Sequence, residues 1–302
     1  MCRIGVVIVT YNRKEKLRKA IQCYEEQEYK PRFIVVVDNN STDGTKEFLL
    51  DWSKNKGIID KKAIYLKKNS GGSGGYFEGL KVAQMMPADW IWVADDDAYP
   101  NKKCLQILVT YLKHNDNRRI AAICATVLTN GNIDTWHRRR FQNKYGCLLI
   151  EQQIKEQEYE KEYFELDLFS YVGTLIQCRV LKKIGLPQKN FFISYDDSEH
   201  SIRIRKCGKI ICVPEAKVIH DSEDIQELCV TWKKYYNLRN KLYSYRIHFG
   251  TLQFVVYALY YSFKNRKNRI LYKMTREAIR DAQRGILGVN RTYGPGWKGE
   301  IE

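Results

Sequence analysis

No apolar run in this chain is long enough to cross a bilayer. The longest, Phe249–Phe263, is broken by Thr251, Gln253 and Ser262 and falls short of the roughly 18–20 residues that a spanning helix needs. The N-terminal run Ile4–Val9 is shorter than the apolar region of a signal peptide, and Thr10-Tyr11-Asn12 stand where a cleavage site would be required, so it reads as a buried strand. Cys-x-x-Cys pairs are also missing. The nine cysteines, at 2, 23, 104, 124, 147, 178, 207, 212 and 229, are odd in number. That argues against zinc knuckles and secreted disulfide frameworks and points to a reducing cytosol. Nucleotide fingerprints are absent as well. After Gly72 and Gly74 a G-x-G-x-x-G motif needs glycine at position 77, where Phe77 stands, and no G-x-x-x-x-G-K-[ST] occurs. No long internal repeat or linker divides the chain.

What is present is a globular composition: 302 residues, 44% hydrophobic and 13% aromatic, enough to bury a core without covalent staples. Charge is lopsided, with 51 Lys+Arg against 35 Asp+Glu, formally +16. Residues 229–302 carry 15 of those cations against 4 acids, a surplus of eleven, interleaved with aromatics such as Trp232, Tyr235, Tyr245, Tyr260 and Phe263. Such a surface suits anionic headgroups or phosphates. A helical region that packs its aromatics on the body and solvates its charges has the same composition.

Strand-like and helix-like segments alternate. Arg3–Thr10 reads as a strand, with Asn12 capping a helix over Arg13–Gln27; Phe33–Val37 reads as a second strand, with Thr42 capping a helix through Trp52. A third strand at Ala63–Leu66 precedes the loop Asn69–Gly75 and a helix to about Met85, and a fourth at Trp90–Ala94 ends in Asp95-Asp96-Asp97. A helix near Lys102–Lys113 and a fifth strand at Ile120–Val127 follow. Periodicity weakens between Thr129 and Asp167, which reads as an insertion or mobile loop. Beyond it come strand-like Ser170–Gln177, a short helix at Val180–Ile184, the apolar Phe191–Ser194, a helix from Ser198 to Cys207, a strand at Ile210–Val213, and a helical pattern from Ile225 onward. The expected architecture is α/β: a mostly parallel sheet flanked by helices over residues 1–225, with a helical C-terminal extension over 226–302. Parallel sheets bind ligands at the carboxyl ends of their strands.

The polar clusters fall at those ends. Asp95-Asp96-Asp97 repel one another unless a cation neutralises them, and Mg²⁺ or Mn²⁺ takes such oxygen ligands beside substrate phosphates; an acidic turn that starts the next helix is the other reading. The glycines at 71–75 allow close backbone approach to a substrate, or form a flexible turn. Asp196-Asp197 and Glu199 suit either a general base near a substrate hydroxyl or capping of a helix N-terminus. His220 could complete a carboxylate and imidazole metal site or be structural.

Taken in order, Thr10-Tyr11-Asn12-Arg13, Val37–Gly44, Asn69–Gly75, Trp92–Asp97, Tyr195–Glu199 and His220 form a set that resembles the family 2 glycosyltransferases of the GT-A (Rossmann-like) fold, over about residues 3–222. The Gly-Gly-Ser-Gly-Gly segment, the triple Asp and Phe191–Glu199 most resemble bacterial galactofuranosyltransferases, with rhamnosyltransferases using dTDP-rhamnose as neighbours. The resemblance implies that Thr10, Tyr11, Arg13, Asp38 and Asn39 hold uridine. Asn39 stands where many members have a second Asp, so uracil and thymine both stay open. It further implies that Asn69, Gly71, Gly72, Gly74, Asp95 and Asp96 border the UDP-sugar, and that Asp97 and His220, joined by Asp95, ligate Mn²⁺ or Mg²⁺. Asp197 would be the base, and Asp196 and Glu199 would bind sugar hydroxyls. Trp136 and His137 are candidates for an acceptor platform, or for a packed loop. An inverting transfer to a glycan or lipid-linked acceptor in surface polysaccharide synthesis follows, on the inner face of a bacterial membrane that the C-terminal region would meet. A nucleic-acid-binding protein is the noncatalytic alternative, but carboxylates at the binding edge would repel phosphates. A metal-dependent nucleotidyltransferase is a second alternative, separable by its release of pyrophosphate.

Overall fold

The computed structural model describes residues 2–115, 119–144, 148–222 and 230–299. The first half alternates as its apolar runs require: β1 (Ile4–Thr10), α1 (Lys14–Glu25), β2 (Phe33–Asp38), α2 (Thr45–Lys54), β3 (Asp60–Tyr65), α3 (Gly71–Ala83), β4 (Trp90–Asp95), β5 (Ala98–Pro100), α4 (Cys104–His114) and β6 (Ile120–Thr129). Then come β7 (Asn132–Ile133), β8 (Arg138–Lys144), β9 (Leu148–Gln153), β10 (Phe164–Leu166), β11 (Leu168–Phe169), β12 (Thr174–Gln177), α5 (Cys178–Ile184), α6 (Asp196–Ile204) and β13 (Lys209–His220). The C-terminal region contains β14 (Val230–Thr231), α7 (Trp232–Phe249), α8 (Thr251–Asn265), α9 (Arg269–Arg284) and β15 (Lys298–Gly299). The expected domain boundary at 225/226 and the start of the helical pattern at Ile225 lie outside the described residues.

The main sheet runs β10-β13-β6-β12-β4-β1-β2-β3. β3, β2, β1 and β4 pair in parallel, as do β6 and β13; β12 is antiparallel to both β4 and β6, so these six strands share one direction. Continuous apolar runs arise because both faces are covered. Alternation splits β1 cleanly: Ile4, Val6 and Ile8 share one core with Leu17, Tyr24, Leu105 and Leu108 of α1 and α4, while Val7 and Val9 share the other with Tyr76 and Leu80 of α3 and Leu181 of α5. Helix α3 lies unusually low on the sheet. A Cβ on Gly75 would sit 2.5 Å from Val9 Cγ1, and one on Gly79 2.5 Å from Val7 Cγ1.

Several expectations need correction. The glycine-rich segment is no loop, because Gly71 through Gly75 form the first turn of α3. Neither Asn12 nor Thr42 caps a helix through its side chain. Asp43 accepts the Lys14 N–H of α1 (2.9 Å) and the Thr45 N–H of α2 (3.2 Å), while Asn12 Oδ1 accepts the Thr42 N–H (2.7 Å). The stretch 129–167 is largely ordered: β8 and β9 form a hairpin with β11, and β10 adds an edge strand beside β13. Its pattern was masked because polar groups point inward. Arg138 is fully buried, its guanidinium bonded to the Ala125 and Val172 carbonyls at 2.8 Å each. The strand expected at Ile210–Val213 runs on as β13 to His220. The C-terminal helices share a third core with the body, in which Phe192 and Tyr195 pack against Tyr235, Tyr236, Tyr245 and Tyr257.

Candidate active site

Strand ends place the first set of groups. β5 pairs antiparallel with the end of β13, His220 opposite Ala98, and this register sets the imidazole beside Asp97. His220 Nε2 lies 3.5 Å from Asp97 Oδ1. One ligand atom each from Asp95, Asp97 and His220 lie within 4.8 Å of one another. His220 Nδ1 is buried with no hydrogen-bond partner. Two carboxylates and an imidazole with a spare nitrogen suit a hard divalent cation.

The neighbours of this triad are built to hold it. Thr10, at the end of β1, donates to Asp96 Oδ2 (2.7 Å), and Arg13 donates to Asp97 Oδ2 (2.6 Å) and Asp96 Oδ1 (3.4 Å). Tyr76 of α3 donates to Asp95 Oδ1. Burial pushes Asp96 up to about 7, with Arg13 and Thr10 opposing and its two acidic neighbours reinforcing. Burial, then Asp97, raises Asp95. Asp97 is also penalised by burial, but the His220 hydrogen bond and Arg13 hold it below the usual carboxylate range. Burial works against charged His220, yet Asp97 and Asp95 raise it. The cluster thus concentrates negative charge that only part of its surroundings neutralises.

Asp196 and Asp197 open α6. Asp196 is buried and raised to about 8, by burial first and Asp197 next, with Asp95 also contributing. Asp197 is partly buried, and it contributes in turn to raising Asp95. The two acidic groups therefore lie within electrostatic reach of each other. Asp197 Oδ1 accepts from Ser198 N (2.5 Å) and Ser198 Oγ (3.0 Å); Arg139 of β8 donates to Ser198 Oγ (2.6 Å). Burial raises Asp197, and Arg139 is the largest opposing influence. Neither Tyr76 nor Arg139 stood out in the sequence, since a tyrosine inside a helix and one arginine of three in a row carry no signal.

The other expected residues divide. Tyr11 is exposed beyond β1, and Asp38 is buried at the end of β2, where Oδ1 accepts the Ser41 N–H (2.9 Å). Asn39 donates to the Gly71 carbonyl (2.8 Å) and accepts from Ser70 N (2.9 Å), while Asn69 Oδ1 accepts the Gly71 N–H (2.8 Å). Both asparagines tie the start of α3 to the ends of β2 and β3. Gly71 has φ +71°, and its Cβ would strike the Phe192 carbonyl; a Cβ on Gly74 would meet Ser70, whereas Gly72 has space. His137 lies beside the triad, its ring edge-on to His220 at 5.0 Å, but Ser170 (2.5 Å) and Asp134 (3.3 Å) occupy its two nitrogens. Trp136 next to it is exposed. Glu199 corrects the expectation of sugar binding, because it is buried between an ion pair with Arg203 of its own helix (2.7 Å) and a contact with His248 (2.9 Å) that joins α6 to α7.

Comparison with known proteins places this arrangement. The model of the family described as "Glycosyl transferase family 2" matches residues 5–185. Galactofuranosyltransferase GlfT1 of Mycolicibacterium smegmatis is 26% identical over 210 residues, covering 68% of this chain and 66% of its own; GlfT1 of Mycobacterium tuberculosis is 29% identical over 212 residues, covering 68% and 65%. This chain thus spans just under two thirds of those relatives. The dTDP-rhamnosyl transferase RfbF of Shigella flexneri is 26% identical over 310 residues, covering 95% of this chain and 98% of its own. Among solved structures, GalNAc-T7 with UDP, GalNAc and Mn²⁺ superposes with a TM-score of 0.64 at 16% identity, over 95% of this chain and 56% of that one. S. aureus TarS residues 1–349 with UDP-GlcNAc gives 0.58 at 16% identity, over 87% and 72%. At that identity the likeness is one of fold, GT-A.

Proposed function

This chain belongs to glycosyl transferase family 2 and is a nucleotide-sugar-dependent glycosyltransferase; from that premise we propose that it is an inverting, metal-dependent enzyme moving galactofuranose from UDP-galactofuranose to a hydroxyl of a glycan or lipid-linked acceptor. The observation that carries this reading is the convergence of Asp95, Asp97 and His220 within electrostatic reach of partly buried Asp197. The triad would hold Mn²⁺ or Mg²⁺, which as Lewis acid and template offsets the charge of the leaving diphosphate. The chain's own groups do the rest. Thr10, Tyr11, Arg13, Asp38 and Asn39 border the nucleotide, with Asn69 and the start of α3 beside the sugar. Asp197, whose ionised form Arg139 favours against burial, takes the proton from the acceptor hydroxyl as the oxygen attacks the anomeric carbon in line and from the opposite side, which inverts configuration. Asp196, raised to about 8, is protonated near neutral pH and can donate to a sugar oxygen.

Transfer from dTDP-rhamnose is the second reading, favoured by the match to RfbF along nearly the whole chain. A panel of nucleotide-sugars scored with Mn²⁺ by protection against thermal unfolding and by release of nucleoside diphosphate separates the two. Protection by UDP-galactofuranose alone supports the first; protection by dTDP-rhamnose alone replaces it. Release of pyrophosphate from a nucleoside triphosphate would overturn both.

The reading places the enzyme on the inner face of a bacterial membrane, where a lipid-linked acceptor lies. Among the described residues no helix is long and apolar enough to cross a membrane. Helix α8 nevertheless turns Leu252, Val255, Leu259, Tyr260 and Phe263 outward, contains no acidic residue, and carries the Arg266 guanidinium 3.4 Å over the Phe263 ring. An apolar stripe edged by cations fits an anionic interface. Two copies paired through it would bring like charges together. Flotation with phosphatidylglycerol vesicles should capture the native chain and lose a Leu259→Glu, Phe263→Glu variant; equal flotation of both would remove α8 from this role.

A further inference from the structure

Three of the four residues from Phe192 to Tyr195 hold left-handed backbone without being glycine: Phe192 (φ 68°), Ser194 (φ 67°) and Tyr195 (φ 68°). Such conformations persist only where the surroundings over-determine them. The loop leads directly into Asp196 and Asp197, so its course sets where those carboxylates point.

Helix α7 supplies the hold. The fully buried Asn240 amide donates to the carbonyls of Phe191 (3.2 Å), Ile193 (3.0 Å) and Ser194 (2.8 Å). Arg239 donates through Nε to Asn240 Oδ1 (3.0 Å), which settles which end of the amide faces the loop; the reverse orientation would aim Oδ1 at three carbonyl oxygens. Arg239 also bonds the Phe191 carbonyl (3.0 Å) and the Gly288 carbonyl (2.7 Å). From the other side Ser73 of α3 donates its N–H to the Phe192 carbonyl (3.1 Å). The loop is gripped between α3, whose Tyr76 bonds Asp95, and α7, which lies beyond the span matched by the family model.

We infer that Asn240, oriented by Arg239, is a positioning residue for the transfer reaction: it holds loop 191–195 in its left-handed course and thereby keeps Asp197 directed at the Asp95–Asp97–His220 centre. The inference rests on the reading of Asp197 as the base.

The test uses the full chain carrying Asn240→Ser, with three measurements: hydrogen exchange over 191–199, UDP affinity with Mn²⁺ by calorimetry, and turnover. Exchange over 191–199 should quicken about tenfold or more while peptides of β1 and β4 stay unchanged. UDP affinity should hold within about threefold while kcat falls about tenfold or more. Adding Ser194→Gly, which takes left-handed backbone without a steric cost, should recover about threefold or more of the lost kcat. Native-like exchange and kcat in Asn240→Ser would overturn the inference. So would a parallel fall of kcat and UDP affinity with protection lost throughout, which marks a merely structural residue. If Asn240→Ser does not fold, Arg239→Lys is read against the same thresholds. Exchange is measured without substrate, so a native chain that transfers no sugar defeats the proposed function while the exchange result still decides the hold on the loop.

Discussion

Asp95–Asp97 and Asp196–Asp197 are two acidic runs that feel each other's charge, yet the molecule positions them by opposite means. The first run hangs from the end of a central parallel strand, and backbone register does most of the work: Val9 pairs with Asp95, and His220 pairs with Ala98. The second run opens a helix instead of ending a strand. Strained loop backbone, side-chain hydrogen bonds from Asn240 and Arg239, and the Arg139–Ser198 contact aim it. A further lock lies behind them, where Glu151 of the β8–β9 hairpin accepts from Arg139, Tyr195 and Tyr245 (2.7 Å) and pairs with Lys241 (3.2 Å). Burial opposes its ionisation, but Lys241 and Arg139 hold it down at about 2. The proposed metal-binding edge can thus be written into strand order, whereas the proposed base is held by contacts distant in sequence.

The sharpest way to break this comparison is at the base. Asp197→Asn should lower transfer by about 10²–10⁴-fold with donor affinity nearly unchanged, because a general base acts in the transition state. Comparable loss of UDP binding would put Asp197 on the nucleotide side with the first run. The first run should fail differently. Asp97→Ala or His220→Ala should weaken Mn²⁺-dependent UDP binding by about tenfold or more, read by calorimetry with and without chelator; unaltered metal dependence would dissolve the triad.

Stability offers a test of smaller amplitude. His200 is buried and held down at about 3, by burial first and Arg203 next, while Glu199 beside it sits at about 2 because His248 and Arg203 outweigh its burial. A depressed histidine gives stability that is complete above its ordinary value of 6.5 and lost as pH falls toward 3, since only the unfolded chain takes the proton. A depressed carboxylate gives stability present above 4.5 and lost as pH falls toward 2. Both act in the same direction, against Asp96 and Asp196, whose raised values of about 7 and 8 favour the fold as pH falls; in urea unfolding His200 therefore contributes, from pH 6.5 downward, a falling slope of at most about 1.4 kcal/mol per pH unit. His200→Gln should flatten the upper part of that slope; an unchanged profile would place the acid lability elsewhere. Least in size, Gly75→Ala should cost about 1–3 kcal/mol, because its Cβ would meet Val9 at 2.5 Å. A neutral result by thermal melting would show that α3 can lift without disturbing Tyr76 and Asp95.

Most of the parallel half was legible because its signals are local. Apolar runs of five or six residues ending in Thr10, Asp38 and Asp95 announce strands whose ends carry chemistry, and β1, β2 and β4 are found there. The hairpin was not legible: β8 and β9 carry Arg138, Arg139 and Glu151 at buried or partly buried positions, where they satisfy one another or backbone carbonyls and erase the alternation that marks a strand. The caps misled for a related reason, since Asp43, one residue past the expected cap Thr42, serves both helices from one loop.

By itself the sequence determined the alternation of strands and helices, the family, and the fact that acids gather at strand ends, because burial and charge repulsion act on neighbours along the chain. Only the tertiary structure decided that His220 meets Asp97, that His248 meets Glu199, and that Asn240 grips the loop before Asp196. Those outcomes depend on hydrogen bonds and ion pairs between residues tens to more than a hundred positions apart, whose partners no local pattern encodes.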